Sequence, residues 1–254
     1  MKVRDIYDFI DGIFPFSSQA EWDNSGFQVG SLEDEVIGII ITLDVDDYVI
    51  ENAIKEGINL IISHHPLILK KINRIWAEKY STAIIYKAIR NGINIISAHT
   101  NVDILKGGLA DYLAGIFKLE ILGPLSKEGF GRICSLGSPI TLEELLNMIS
   151  QKLNIENIRV IEGKTKKIKK VALCPGSGGD LIEEAIEKGI DAYITGDVKY
   201  HQAKLGEGKI NILDIGHHES EIIFVDLMYE RIAELSIRTV KYYSTSPFKT
   251  RRLK

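Results

Sequence analysis

Leu60-Ile61-Ile62-Ser63-His64-His65-Pro66-Leu67 decides how the rest of the chain is read. Leu60, Ile61 and Ile62 form a continuous apolar run, the pattern of a strand buried on both faces. Two adjacent histidines end it. Pro66 has no backbone N–H to give and stops the ladder there. Polar side chains at the C-terminal end of a buried strand stand where open α/β sheets bind their ligands.

The same unit recurs along the chain. Ala53-Ile54-Lys55-Glu56-Gly57-Ile58-Asn59 leads into the strand that ends at His64 and His65. Ala88-Ile89-Arg90-Asn91-Gly92-Ile93-Asn94 leads into Ile95-Ile96-Ser97-Ala98-His99. Ala185-Ile186-Glu187-Lys188-Gly189-Ile190-Asp191 leads into Ala192-Tyr193-Ile194-Thr195-Gly196-Asp197, and Gly208-Lys209-Ile210-Asn211 leads into a strand ending near His217. Each copy reads as helix, glycine stop, buried strand, polar strand end. Helices alternating with buried strands predict an α/β protein with mostly parallel sheets. Right-handed crossovers bring the polar ends to one edge of each sheet.

Other segments complete the outline. A helix is expected over 3–14, a strand over 36–43 followed by Asp44, and a helix over about 46–56 that stops at Gly57. Trp22 with Gly26 and Gly30 suggests a tight, partly buried loop beside a short strand. Gly123-Pro124 breaks the pattern after a helix at 108–117. Strands follow at 132–136, 158–162 and 171–174. Thr141 with Glu144 forms a capping box for a helix through Leu153. The lysine-rich run 164–170 reads as a solvated hairpin tip. A single helix is expected from His217 to about Leu235, and a last strand over 240–244. The organisation expected is two interlinked three-layer α/β units, the second inserted in the first. The first covers 1–125 plus 213–254 and carries most of the candidate ligands; the insert covers 126–212.

The 254 residues are 45% hydrophobic and 26% charged, the balance of an ordinary globular protein. A net charge of -4 gives no ground for a nucleic-acid or membrane surface. Charges at Lys2, Arg4, Asp5, Asp8 and Asp11 argue against a signal peptide, and no apolar run reaches membrane-spanning length. A cytoplasmic protein is therefore expected, with Cys134 and Cys174 as small buried thiols in strands.

All six histidines, His64, His65, His99, His201, His217 and His218, lie at or just after an end of the repeated unit. Structural histidines would scatter; these cluster. Asp103 stands four residues after His99. His217 and Glu221 are i and i+4 at a helix start, so they share a face. Imidazole and carboxylate without thiolate suit Zn, Fe or Mn. His64, His65, Asp103, His217 and Glu221 are too many ligands for one open catalytic ion. They suit two divalent ions, with Glu221 as the carboxylate between them. His99 reads alternatively as a neighbour that orients a ligand. His218 lies off the His217/Glu221 face. His201 reads equally as an acid/base group, a substrate contact or a loop histidine. Gly176 to Gly179 before a helix reads equally as a phosphate-binding turn or a tight turn, since it lacks either standard phosphate-loop spacing.

Trp22-Asp23-Asn24-Ser25-Gly26, Ser63-His64-His65-Pro66-Leu67 and Ala98-His99-Thr100-Asn101-Val102-Asp103 resemble motifs of the NIF-three-like family. So do Gly196-Asp197-Val198-Lys199-Tyr200-His201 and Asp214-Ile215-Gly216-His217-His218-Glu219-Ser220-Glu221, and all five stand in family order. The family's members are also known as GTP cyclohydrolase I type 2 homologues. The resemblance implies a dinuclear metal site in subunits assembled as a toroidal homohexamer, with His64, His65, Asp103, His217 and Glu221 as ligands. The family usually has a different residue at position 218. The activity it implies is opening of the guanine imidazole ring of GTP by water activated at the metals. His201 and Lys199 would then move protons or bind an anionic substrate. His99, Asp44, Tyr200 and Asn24 are expected beside the ligands or the substrate. The alternative is a carrier without catalysis, supplying iron or zinc to a partner or to cofactor assembly. Neither reading calls for a membrane or for nucleic acid.

Overall fold

The computed structural model describes residues 1–251. In chain order the elements of the first part are α1 (Val3–Ile13), β1 (Gly26–Val29), β2 (Ile39–Thr42), α2 (Asp47–Glu56), β3 (Leu60–Ser63), α3 (Tyr80–Arg90), β4 (Asn94–Ser97) and α4 (Thr100–Ile104). The middle holds α5 (Leu109–Ile116), β5 (Glu120–Pro124), β6 (Arg132–Ile140), α6 (Leu142–Leu153), β7 (Arg159–Ile161), β8 (Ile168–Leu173), α7 (Ile182–Glu187), β9 (Ala192–Thr195), α8 (Tyr200–Gly206), β10 (Asn211–Asp214) and α9 (His217–Glu221). The chain closes with α10 (Phe224–Ile232) and β11 (Thr239–Lys241).

These form an α/β protein of two compact units. Unit 1 is Met1–Leu105 with Phe224–Ser244; unit 2 is Lys106–Ile223 with the tail from Thr245. The joins expected from sequence lie at 125/126 and 212/213. β5 pairs antiparallel with β6, and α5 packs on β5, β6 and β8, so both go with unit 2. So does α9, and with it His217 and Glu221.

Unit 1 has one sheet, ordered β1-β4-β3-β2-β11. All its pairings are parallel except that of β1 with β4. Side chains alternate between the faces of a strand. Ile40, Ile61 and Ile95 therefore share one face, where they meet Val49, Ile50 and Ala53 of α2 and Ile84, Ile85 and Ala88 of α3. Ile39, Ile41, Ile62 and Ile96, their neighbours in sequence, are also buried. Burying such a side chain contributes about 1.5–3 kcal/mol, so the strand ends are firm points from which to hang a ligand. α10 packs on β2 and β11. α2 starts where Asp46 accepts the Val49 N–H at 2.8 Å and stops at Gly57, φ 64°.

Unit 2 has the order β5-β6-β8-β9-β10-β7. β8, β9 and β10 are its parallel centre, and β5, β6 and β7 join it antiparallel. Ala172, Tyr193 and Ile212 face Ile182 and Ala185 of α7. The capping box of Thr141 and Glu144 opens α6.

Four local expectations change. The strand expected over 36–43 begins only at Ile39, because Ile37 is exposed and gives its N–H to the Asn59 side chain. The helix expected from His217 to Leu235 breaks after Glu221, and its two parts pack into different units. The lysine-rich run is not a hairpin tip, because β7 pairs with β10 rather than with β8. Trp22 is exposed rather than partly buried.

Candidate metal sites

In unit 1 the parallel pairing of β2 and β3 continues past the strand ends. The His64 N–H reaches the Thr42 carbonyl at 3.2 Å, and the His65 N–H reaches that of Leu43 at 3.0 Å. Both imidazoles thus leave a fixed backbone. His64 is fully buried, and its Nδ1 donates to the Ala98 carbonyl at 2.9 Å. His65 is half-buried, and its Nδ1 donates to Asp44 Oδ1 at 2.7 Å. Carbonyl and carboxylate oxygens only accept, so each ring carries a proton on Nδ1 and turns Nε2 away from that partner.

His99, just after β4, follows the same rule: its Nδ1 donates to Asp23 Oδ1 at 2.8 Å. Asp23 also accepts from the Ser25 hydroxyl at 2.8 Å, the Thr100 hydroxyl at 2.5 Å and the Thr100 N–H at 3.1 Å. Burial works against ionisation of this carboxyl. The hydrogen bond and charge of His99, with the two hydroxyls, outweigh it and hold the group well below the usual carboxylate range. Ligand atoms of His64, His65 and His99 all lie within 4.8 Å of one another. α4 starts immediately after His99 and carries Asp103 one turn on, with Oδ1 3.7 Å from His64 Nε2. Two donors on one ion, each about 2.0–2.2 Å from it, are separated by about this much.

Unit 2 builds its candidates on β9 and β10. Asp214, buried at the end of β10, accepts from the Val198 N–H at 3.0 Å and the Gly216 N–H at 3.1 Å and pairs with Arg159. Gly216 then turns the chain at φ 90°, a conformation that favours glycine. His217 opens α9. Its Nδ1 donates to Asp197 Oδ2 at 2.7 Å, and its Nε2 lies 2.8 Å from Glu221 Oε2. Glu221 is buried. A buried carboxylate is either paired or coordinates a metal ion, and Glu221 has the His217 imidazole beside it.

The glycine-rich loop is part of this seat and not a phosphate turn. The Gly176 N–H is donated to Ser220 Oγ and the Gly178 N–H to Thr195 Oγ1, both at 2.9 Å. A Cβ at Gly176 would fall on Glu221 Oε1, and one at Gly178 would fall on the Tyr193 hydroxyl. Those glycines are there for close approach.

Of the other expected residues, Lys199, Tyr200 and His201 are all exposed where α8 begins. Tyr200 lies edge-on to His201, with centroids 5.3 Å apart. Asn24 gives its side-chain amide to the Ile68 carbonyl at 2.6 Å. His218 is half-buried beside His217. Asp23, Asp197 and Asp214 have no role in the reading of the sequence, and Gly176 figures there only in the glycine-rich turn. Asp197 had a signal: it stands after its strand as Asp44 does after β2.

The donor set fits divalent metal. An oxygen partner occupies Nδ1 of His64, His65, His99 and His217 and leaves Nε2 to face an ion, the arrangement typical of metal-bound histidine. The chain is 36% identical to the GTP cyclohydrolase 1 type 2 homolog of Campylobacter jejuni over 251 residues, covering 98% of this chain and 99% of that protein. It is 37% identical to the protein of the same name from Clostridium perfringens over 246 residues, 92% of each. The fold matches the crystal structure of Staphylococcus aureus protein SA1388 with a TM-score of 0.89 at 29% identity, covering 98% of this chain and 99% of that one. The sequence pattern of the family described as Duf34/NIF3 (NGG1p interacting factor 3) matches residues 1–247, and the chain belongs to that family.

Proposed function

We propose that the protein is a metal-dependent hydrolase of the GTP cyclohydrolase-like kind, with two divalent ions held by His64, His65, Asp103, His217 and Glu221. The observation that carries this reading is the orientation of the imidazoles: an oxygen partner at Nδ1 of His64, His65 and His217 directs Nε2 to a ligand. Bound there, a pair of divalent ions supplies Lewis acidity and a nucleophile at neutral pH. The substrate is a purine nucleotide or related ring, whose electrophilic carbon takes up water as the ring opens. His99, held by Asp23, is placed to carry a proton at Nε2 during that opening. Lys199 and His201, exposed at the start of α8, are the groups to meet an anionic substrate or to pass a proton to solvent. The assembly that goes with this reading is the toroidal homohexamer.

A second reading, the carrier that donates iron or zinc, draws on one observation. The His65 and His217 side chains are 26% and 32% exposed, which suits ion exchange with a partner. The two readings part on turnover. The metal-loaded protein is expected to consume GTP with an absorbance change as the imidazole ring opens. Glu221→Ala is expected to abolish turnover and to lose most of its metal by elemental analysis, and His64→Ala to retain more. No turnover of GTP or related purines with Zn, Fe or Mn, while metal passes readily to a competing chelator, would replace the hydrolase by the carrier.

A further inference from the structure

The segment between β3 and α3, residues 66–79, has no regular secondary structure, yet it is pinned at both ends. The Ile68 carbonyl accepts from the Asn24 side chain at 2.6 Å, and the Ile68 N–H donates to Gln28 Oε1 at 3.1 Å. At the far end the Thr82 hydroxyl accepts from the Trp76 N–H at 3.1 Å and donates to the Trp76 carbonyl at 3.0 Å. Leu67, Ile68 and Ile72 pack against the core under α2 and α3. A structureless connection of this length inside a compact unit usually has a function.

The segment walls a cleft of about 840 Å³, a size that holds a small-molecule ligand. Lys70, Lys71, Arg74 and Lys79 line it beside Trp76, and no carboxylate does. No ion pair joins any of these four cations among the described residues. This concentration stands out in a chain whose net charge is -4. The lining begins at Pro66, the residue after His65. Trp22 is exposed with its ring edge-on to His99, and Asn24 two residues later is bonded to the cleft wall.

We propose that this cleft is a polyphosphate subsite: it takes the phosphate chain of a nucleoside triphosphate whose base is presented to the imidazoles at the end of β3. A triphosphate matches the four cations in charge. Lysine and arginine bind phosphate oxygens through charge-assisted hydrogen bonds. The placement of the base rests on the hydrolase reading above; the binding of phosphate in the cleft does not.

Trp22 and Trp76 are the chain's two tryptophans, so in a Trp22→Phe variant the fluorescence reports on the cleft alone. Inorganic triphosphate and GTP titrated into this variant should each give a saturable change, and guanosine should give little. Adding Lys70→Gln, Lys71→Gln and Arg74→Gln should weaken triphosphate binding by about tenfold or more, since three charge-assisted contacts are lost, and flatten its salt dependence. These side chains are exposed, so the variant should keep the parent's melting temperature. Undiminished triphosphate binding in the glutamine variant, or guanosine saturating the signal as GTP does, would overturn the proposal. Triphosphate binding without GTP turnover would leave the cleft standing and remove the hydrolase. GTP turnover with an unchanged KM in the glutamine variant would do the reverse.

Discussion

In unit 1 the acid after β2, Asp44, holds the histidine after β3, His65; in unit 2 the acid after β9, Asp197, holds the histidine after β10, His217. Both contacts are 2.7 Å, and both link an Nδ1 to a half-exposed carboxylate across neighbouring parallel strands. A strand–helix–strand crossover delivers the acid from one strand end and the imidazole from the next. The units differ in the buried donor beside that histidine. Unit 1 uses His64, packed against the Phe224 ring with centroids 4.8 Å apart, and adds His99 and Asp103 from the following strand and helix. Unit 2 uses Glu221, one helical turn after His217, seated over a glycine. The comparison teaches that the crossover sets the half-exposed imidazole, whereas the buried donor beside it depends on packing particular to each unit.

The buried seat in unit 2 is where this contrast breaks most easily. Gly176 and Gly57 both have positive φ, 70° and 64°, but a Cβ at Gly57 meets nothing within 4 Å, whereas one at Gly176 falls on Glu221. Gly57→Ala should cost about 1–2 kcal/mol for its left-handed backbone and leave the metal content unchanged. Gly176→Ala carries the same backbone cost and also displaces Glu221. It should be destabilised by about 2–4 kcal/mol in denaturant melts and lose most of its metal. Equal metal content in the two variants would show that the seat of Glu221 does not depend on Gly176.

The shared half of the comparison is tested by matched substitutions. Asp44→Asn and Asp197→Asn each replace the carboxylate behind one histidine and leave a carbonyl oxygen able to accept. Each should lower metal affinity by about 10–100-fold, the usual cost of altering such a partner, read by competition with a chelator. The losses should be of similar size. A large loss from one and none from the other would mean that the crossover recurs in structure but not in metal binding.

Much of this was legible in the sequence because its signals are local. The isoleucine runs of β2, β3 and β4, the glycine stops and the capping box at Thr141 each depend on a few neighbouring residues. The i, i+4 pairing of His217 and Glu221 is set by helix geometry alone, and the structure shows it at 2.8 Å. Less visible was anything set by contacts distant in sequence. Asp23 reaches His99 from 76 positions away, and Gly176 meets Ser220 from 44 positions away. The exposure of Trp22 was hidden for a related reason. Tryptophan in a glycine-flanked loop suggests an anchor, but here Phe16 is buried while Trp22 stands outside. The break after Glu221 was hidden because the apolar spacing of Ile222, Val225 and Met228 runs across it.

Asp23 and His99 offer the smallest expected effect, and it bears on the imidazole that unit 1 adds to the shared crossover. The Asp23 carboxyl is held below its usual range in the folded protein, chiefly by His99 against the opposing effect of burial. A carboxyl with a depressed folded pKa contributes stability that is fully present above its unfolded pKa, about 3.9, and is lost as pH falls toward the folded value. Asp23→Asn should therefore be less stable than the parent at pH 5, where the parent carboxyl is ionised. Below about pH 4 the unfolded parent takes up a proton that the folded parent resists, and the gap between the two proteins should narrow. Urea midpoints at pH 5 and 3.5, measured without added metal, give the comparison directly. A gap that stayed constant down to pH 3.5 would mean that Asp23 holds His99 through hydrogen-bond geometry alone, which asparagine cannot reproduce at all its contacts, and not through the charge of an ionised pair.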